Sequence, residues 1–442
     1  MRYRPRHNQG ITTFQIILLV VFGLFILAGI FSFALYRGGS SNQTPPITIW
    51  GTFDQATMTS FINKVAGSNA NIYYVQKNPA TFNTDLVQAI ATGKGPDVIL
   101  GTQDQIFSNN SLLITIPYQY YPQRTFLNTF IPEADLYLSS QGTIAFPIGV
   151  DPLMMYWNRV LLSNAGIAAP PTTWNQLVAM VPKLTVTDKT YNVTQSTVGL
   201  GDYVNINNAK AILSLLILQA GNPIVGQDAN GNLIAVIGAG NGASTAAAAA
   251  LSFYTQFADP TSATYSWNSA LQNSQNLFIA NQLAFYFGFA SEYNILAQKN
   301  PNLDFDVTTV PQRDKNQSGQ SSGSIQSTTY GNLYGFAVVR SSPNAATAVT
   351  DILTLTSQSA AGVWNTLTGL PAARIDSLSA NPANPIEPVF NLSALWAVGW
   401  IDPNTTATNN IFQTMVTSVT SGQADPEQAV NTAQSALTAS LQ

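Results

Sequence analysis

The chain has 442 residues, 45% of them hydrophobic and only 9% charged, with no cysteine and a single histidine, His7. That is apolar enough for a packed interior and long enough for a two-lobed body, with Asn, Gln, Ser and Thr left to wet the surface. Without thiols or a second imidazole there are no disulfides, thiolate or histidine metal sites, cysteine nucleophiles, lipidated cysteines or histidine triads, and nothing implies a cofactor. What remains favours binding over catalysis. The net charge of −4 hides an asymmetry. Arg2, Arg4, Arg6 and Arg37 all precede the first acidic residue, Asp54, which leaves 13 basic residues against 21 acidic ones and puts the rest of the chain near −8. Such a body has no electrostatic footprint for nucleic acid.

Residues 16–35 are apolar apart from Ser32. As a helix they would rise about 30 Å, the thickness of a bilayer's hydrocarbon core. Three arginines precede the run and one follows it, so the positive-inside rule predicts a cytoplasmic N-terminus over 1–15, a single span over 16–36 and an extracytoplasmic body. A cleaved signal peptide would have a shorter apolar core and a better cleavage site than Ser32-Phe33-Ala34. A pilin-type leader would carry Glu where Gln15 stands. Residues 37–46 have linker composition and reach roughly 30 Å at most, which tethers the body near the membrane.

The body reads as alternating strands and helices. A strand at 47–50 is followed by a helix over 54–66, carried by Met58, Phe61, Ile62 and Val65 and stopped by Gly67. A strand at 71–75, a helical stripe of Phe82, Leu86 and Ile90, and a buried strand at 96–100 complete a βαβαβ opening, which implies a parallel sheet covered by helices. Extended stretches follow at 146–148 and 154–157. Thr173 and Gln176 form a capping-box pattern that opens a helix through 181. Alternation continues through 209–220, 243–257 and 284–289. A long polar loop spans 312–330, a strand 333–339, and helical segments run from 345 onward. No internal repeat is present.

Three blocks carry a resemblance. Ile47-Thr48-Ile49-Trp50-Gly51 resembles the opening strand of extracellular solute-binding proteins of family 1, the maltose-binding type. Ala91-Thr92-Gly93-Lys94-Gly95-Pro96-Asp97-Val98 is similar to their Ala-x-Gly-x-x-Pro-Asp-Val segment. The strongest block runs over 146–174, from Phe146-Pro147-Ile148 through Ala165-Gly166-Ile167 to Pro170-Pro171-Thr172-Thr173-Trp174. Weaker echoes lie at 331–344 and 369–374, so the likeness covers most of 47 to about 380. The lipobox cysteine of the family is missing, with the apolar helix in its place, and the C-terminal third matches less well. The resemblance implies an α/β, two-lobed periplasmic-binding-protein-like fold with a hinge. Lobe one would comprise 47–150 plus 331–360, and lobe two 151–330 plus 361–442. It also implies a non-enzymatic substrate-binding component that hands a neutral polar ligand, a sugar or oligosaccharide, to the permease subunits of an ABC importer.

Ligands of open α/β sheets sit beyond the carboxyl ends of the strands. Candidate ligand residues follow from that rule and from the resemblance. Trp50 is either a sugar-stacking platform or a core tryptophan. Asp54 is a binding acid or a helix N-cap. Asp104 falls at the offset from the Pro-Asp segment where the family places a ligand acid, whereas Asp97 reads as structural. Asp151, at the crossing between lobes, suits a ligand contact or a hinge hydrogen bond. Asn205 and Asn207 match positions near the second lobe's pocket, or are simply loop residues. Tyr286, Phe287 and Gly288 match the family strand end that faces the cleft, although core packing also suits at least one of the two rings. Trp364 and Trp396 are candidate stacking platforms from the second lobe, with Trp400 and Trp267 weaker; tryptophans standing alone are more often core. The tyrosine pairs at 73–74 and 120–121 do not suggest an iron site. Two other readings stay open: an anchored glycosidase using two of Asp54, Asp104 and Asp151, and a tethered sensor or adhesin on the same fold.

Overall fold

A computed structural model describes residues 45–228, 232–238, 245–314, 327–378 and 384–441. The expected membrane span at 16–36 and most of the linker lie outside these. Among the described residues no helix is long and apolar enough to cross a membrane.

The strands are β1 (Ile47–Gly51), β2 (Ile72–Gln76), β3 (Val98–Thr102), β4 (Ile116–Pro117), β5 (Gly142–Thr143), β6 (Phe146–Asn158), β7 (Val186–Thr187), β8 (Val193–Val198), β9 (Val225–Gln227), β10 (Leu233–Ala235), β11 (Leu283–Phe289), β12 (Phe305–Thr309), β13 (Thr329–Val338) and β14 (Ala397–Val398). The expected βαβαβ opening is present: β1 runs parallel to β2 and β3, with Ile49 opposite both Tyr74 and Val98. Asp54 caps the helix Gln55–Ala66 by accepting from Thr57 N, and Gly67 ends it at φ 89°. A positive φ favours glycine there because it has no Cβ.

Two strands make the molecule two-lobed. β6 is a 13-residue strand, buried at every position except Trp157. Its first half pairs with β13, and its second half pairs with β11 and β12. β13 continues from that shared region to pair with β3. The sheet order β2-β1-β3-β13-β6-β11-β8-β7 therefore passes from one lobe to the other through β13 and β6. The two stretches expected at 146–148 and 154–157 are one continuous strand, and β13 begins at Thr329 rather than 333. Both extensions follow from strand pairing, of β6 with β13 and of the start of β13 with β14, which keeps the backbone extended through a less apolar stretch.

The helix Gln358–Thr368 packs on Gln55–Ala66 of the first lobe. Beyond it, Pro371 O accepts from Val150 N, and Ala373 bonds both Ile131 and Ile148. The boundary expected at 360/361 is thus corrected: the chain stays with the first lobe through about residue 378. It returns by the helix Glu387–Trp396, which packs on β6, β12 and β13, and ends in Thr405–Thr420 and Pro426–Ser440, which pack together and against Ala246–Thr255 of the second lobe. Thr173 caps its helix as expected, but the Gln176 carboxamide reaches Thr172 N at 2.8 Å instead of closing a capping box.

Asp97 is a buried tie at the base of the first lobe. One oxygen accepts from Thr48 N at 2.9 Å, and the other accepts from the Ser342 hydroxyl and from Asn344 Nδ2. Asp97→Asn removes the charge and turns one acceptor into a donor. We expect it to cost about 1.5–3 kcal/mol of stability, the range for hydrogen bonds to charged groups. Urea unfolding should show the loss, with ligand affinity unchanged because Asp97 faces away from the cleft described next.

Candidate functional site: the interlobe cleft

Where the strands end, a pocket of about 420 Å³ opens between elements of both lobes. The first lobe contributes Asp104. It lies in the first turn of the short helix Gln103–Ser108, which Thr102 and Gln105 fix with a capping box. The buried Gln103 next to it locks this turn to the crossing strand, donating to Gly331 O and accepting from Leu333 N. The second lobe contributes Asn208 and Lys210 at the start of the helix Ala209–Gln219, with Phe289 at the end of β11. Tyr330 and Asn332 come from the crossing strand, and Asn409 from the helix Thr405–Thr420. Asn208 holds a left-handed φ of 59° and donates to Glu292 Oε1 at 2.7 Å, which aims the helix start at the cleft.

The electrostatics of this cleft are unusual. Asp104 Oδ1 is out of solvent with no hydrogen-bond partner. Burial pushes the Asp104 carboxyl up to about 7; the Lys210 ammonium opposes this, and the Asp402 carboxylate adds to it. Behind it, Glu133 is 3% exposed and neither of its carboxyl oxygens has a partner. Burial, and then the charge of Asp104, push Glu133 up to about 8. Gly331 leaves the room Glu133 needs, since a Cβ there would lie 2.4 Å from Glu133 Oε2.

Of the residues expected to bind ligand, the structure places Asp104 on the cleft wall. Asp151 is buried and does not line the pocket; it stands opposite Asn332 in the β6–β13 register and accepts from Ser291 N at 2.9 Å. That is a hinge hydrogen bond. Burial raises the Asp151 carboxyl to about 7, against the hydrogen bonds from Ser291. Asp54 is an exposed N-cap, so the three carboxylates do not converge on one pocket.

The aromatic expectations are corrected. Trp50 is 9% exposed, with the Lys77 ammonium 3.5 Å over its ring, so its face is already covered. Trp364 is fully buried in the first lobe, edge-on to Phe53 and Phe61, rather than presented by the second. Tyr286 and Phe287 are core residues: the Tyr286 hydroxyl is bonded to Glu292, and Phe287 lies 5.5 Å from Trp174. Gly288 is boxed in, since a Cβ would meet the Tyr286 ring at 2.5 Å. Trp396 is half-buried at the end of its helix and does not line the pocket. Asn205 accepts from Trp267 Nε1 and donates to two loop carbonyls, and Asn207 is bonded to Ser274 and Gln275. Both amides hold a loop.

Sequence reasoning missed Lys210, Asn208, Phe289, Tyr330, Asn332 and Asn409. A signal existed for two of them. Phe289 lies one residue beyond the 286–288 stretch, where the strand leaves the core, and Lys210 is the one charge in the apolar run 209–220.

Residues 54–358 match the family model described as bacterial extracellular solute-binding protein. The chain belongs to that family. Its fold is shared with a cyclo/maltodextrin-binding protein solved with maltotetraose, at 17% identity and a TM-score of 0.71, covering 91% of this chain and 99% of that one. It is also shared with an ABC transporter solute-binding protein from Thermotoga lettingae TMO solved with alpha-D-tagatose. There the identity is 20% and the TM-score 0.65, over 90% of this chain and all of that one. The match thus makes this a solute-binding protein, from a family of binders rather than enzymes.

Proposed function

We propose that this solute-binding protein is the membrane-anchored, extracytoplasmic receptor of an ABC-type importer and that it captures a neutral, hydroxyl-rich ligand, a sugar or oligosaccharide. The observation that carries the reading is the cleft itself. It sets an unpartnered carboxyl from one lobe against amides, hydroxyls and a neutralised lysine from the other, and among the described residues no arginine lines it. Hydroxyls donate well to carboxylates, whereas an anionic ligand would meet Asp104 with Coulomb repulsion. The sugars in the two solved relatives support the same ligand class. Calorimetry of the full-length chain against a panel of neutral mono- and oligosaccharides, phosphosugars and carboxylates tests it. An anion bound more tightly than any neutral sugar, or turnover of a glycoside, would overturn the reading.

A receptor of this build closes on its ligand, because contacts to both lobes exist together only in the closed state. Small-angle scattering should show a smaller radius of gyration at saturating ligand. An unchanged radius would instead indicate a rigid scaffold.

The anchor rests on the apolar run at 16–35 and its flanking arginines. The body should be cleaved by external protease on wall-stripped cells while the N-terminal helix stays in the membrane fraction. A mature N-terminus near residue 35, or a protected body, would refute the anchor.

A further inference from the structure

The Glu292 carboxylate, at the start of the helix Glu292–Lys299, gathers four donors from the second lobe. Its Oε1 accepts from Asn208 Nδ2 at 2.7 Å and from Phe289 N at 2.9 Å. Its Oε2 accepts from Gln275 Nε2 at 2.7 Å and from the Tyr286 hydroxyl. Gly288 leaves it room, since a Cβ there would come within 3.2 Å of Glu292 Cδ. Asn208 and Phe289 both line the cleft, and Glu292 itself does not. One oxygen thus sets two wall residues of the second lobe against each other. They come from separate elements: Asn208 precedes the helix Ala209–Gln219, and Phe289 ends β11.

The same bonds decide which end of the Asn208 amide a ligand meets. A carboxylate only accepts, so it must face the NH2 end, which has two hydrogens. Nδ2 donates to Glu292 and, at 3.3 Å, to Phe287 O, so both hydrogens are directed into the protein. An asparagine at a helix start ordinarily turns its side-chain oxygen onto a first-turn N–H. Asn208 stands at that position with a left-handed φ of 59° and makes no such bond. Among the described residues its Oδ1 has no donor, so this oxygen is the polar side-chain atom that Asn208 has left for the cleft.

We propose that Glu292 is a positioning residue of the binding site: it holds the Asn208 amide with its NH2 end in the protein and its carbonyl oxygen free for the ligand, and it registers Asn208 with Phe289. The second lobe then accepts a hydrogen bond at this point and donates none from that amide. The proposal rests on reading the cleft as the ligand site. A glutamine at position 292 would weaken this control, because its amide can turn either end toward Asn208 and carries no charge to hold two donors on one oxygen.

The test uses the full-length chain, with maltotetraose and D-tagatose as probes, and three variants: Glu292→Gln, Asn208→Gly, and the two combined. Asn208→Gly should fold, because glycine adopts φ 59° without strain and Glu292 keeps its other three donors. Calorimetry should show each single variant binding the tighter probe roughly tenfold or more weakly. In the Asn208→Gly background, Glu292→Gln should cost less affinity than it does alone, because the amide it orients is gone. A purely structural role would give the same cost in both backgrounds. That additivity, or an unchanged affinity in Asn208→Gly, overturns the proposal. Proton NMR of the ligand-free protein reads the orientation directly: the Asn208 side-chain NH2 hydrogens should exchange with solvent slowly in the wild type and much faster in Glu292→Gln. Equal exchange rates also overturn the proposal. If the wild type binds neither probe, the sugar reading falls, while the exchange rates still decide whether Glu292 orients Asn208.

Discussion

Asp104→Asn is expected to weaken binding of the cognate neutral sugar by roughly tenfold or more, about 1.4 kcal/mol. The amide keeps the shape but replaces a charge-assisted acceptor with a neutral one, and such bonds contribute about 1.5–3 kcal/mol. Only the ionised carboxyl accepts in this way, and burial has raised it to about 7. Wild-type affinity should therefore rise as pH increases through that value, and the Asn variant should lose this dependence. Stability without ligand should follow the opposite course. Asp104 and Asp151 are raised to about 7 and Glu133 to about 8, in each case chiefly by burial. Each stays protonated in the folded protein at pH values where the unfolded chain is ionised. The stability they supply is complete below about pH 4 and is lost as pH rises through 7 to 8. Urea midpoints should be lower at pH 8.5 than at pH 5.5, and Glu133→Gln should flatten that slope. An unchanged affinity for Asp104→Asn would remove this residue from the ligand site.

The largest loss of stability is expected at Trp364. Its ring is fully buried, 5.0 Å from Phe53 and 5.8 Å from Phe61, and Phe53 in turn meets Tyr334 at 4.8 Å. Gly149 makes room for it, since a Cβ there would lie 2.1 Å from the indole nitrogen. Trp364→Ala would empty the centre of the cluster that fastens Gln358–Thr368 to Gln55–Ala66, at a cost of about 3–5 kcal/mol. The indole nitrogen has no hydrogen-bond partner, so Trp364→Phe loses packing but no bond and should cost less than Trp364→Ala. Equilibrium unfolding of the two variants checks this order. A stacking platform in the cleft would instead show near-native stability and a large loss of affinity in Trp364→Ala.

Local chemistry settled much of this protein in advance. The β1–β3 opening with its helices is written in apolar periodicity, in the Asp54 cap and in the stop at Gly67, each acting within a few residues. The 146–174 block by itself carries the resemblance to the family, and the offset from the Pro-Asp segment points to Asp104, which the structure places on the cleft wall. Asp54 and Asp151 read as either structural or ligand-binding, and each accepts a hydrogen bond that serves the fold, from Thr57 N and from Ser291 N. Tertiary structure alone decided the rest. Hydrophobic spacing says that Gln358–Thr368 must bury a face, but not against which lobe, and the Phe53–Phe61–Trp364 contacts made that choice. Nor does an aromatic residue show in sequence which rings will cover it: Trp364 reads as a candidate platform, Trp50 stands between platform and core, and Tyr286 and Phe287 match a strand end facing the cleft, although all four lie in the core. The Lys210 ammonium bonds Asp402 and Thr408, residues 192 and 198 positions away. No local pattern encodes this clamp, because its energy arises from desolvated charge brought together by the second lobe's packing.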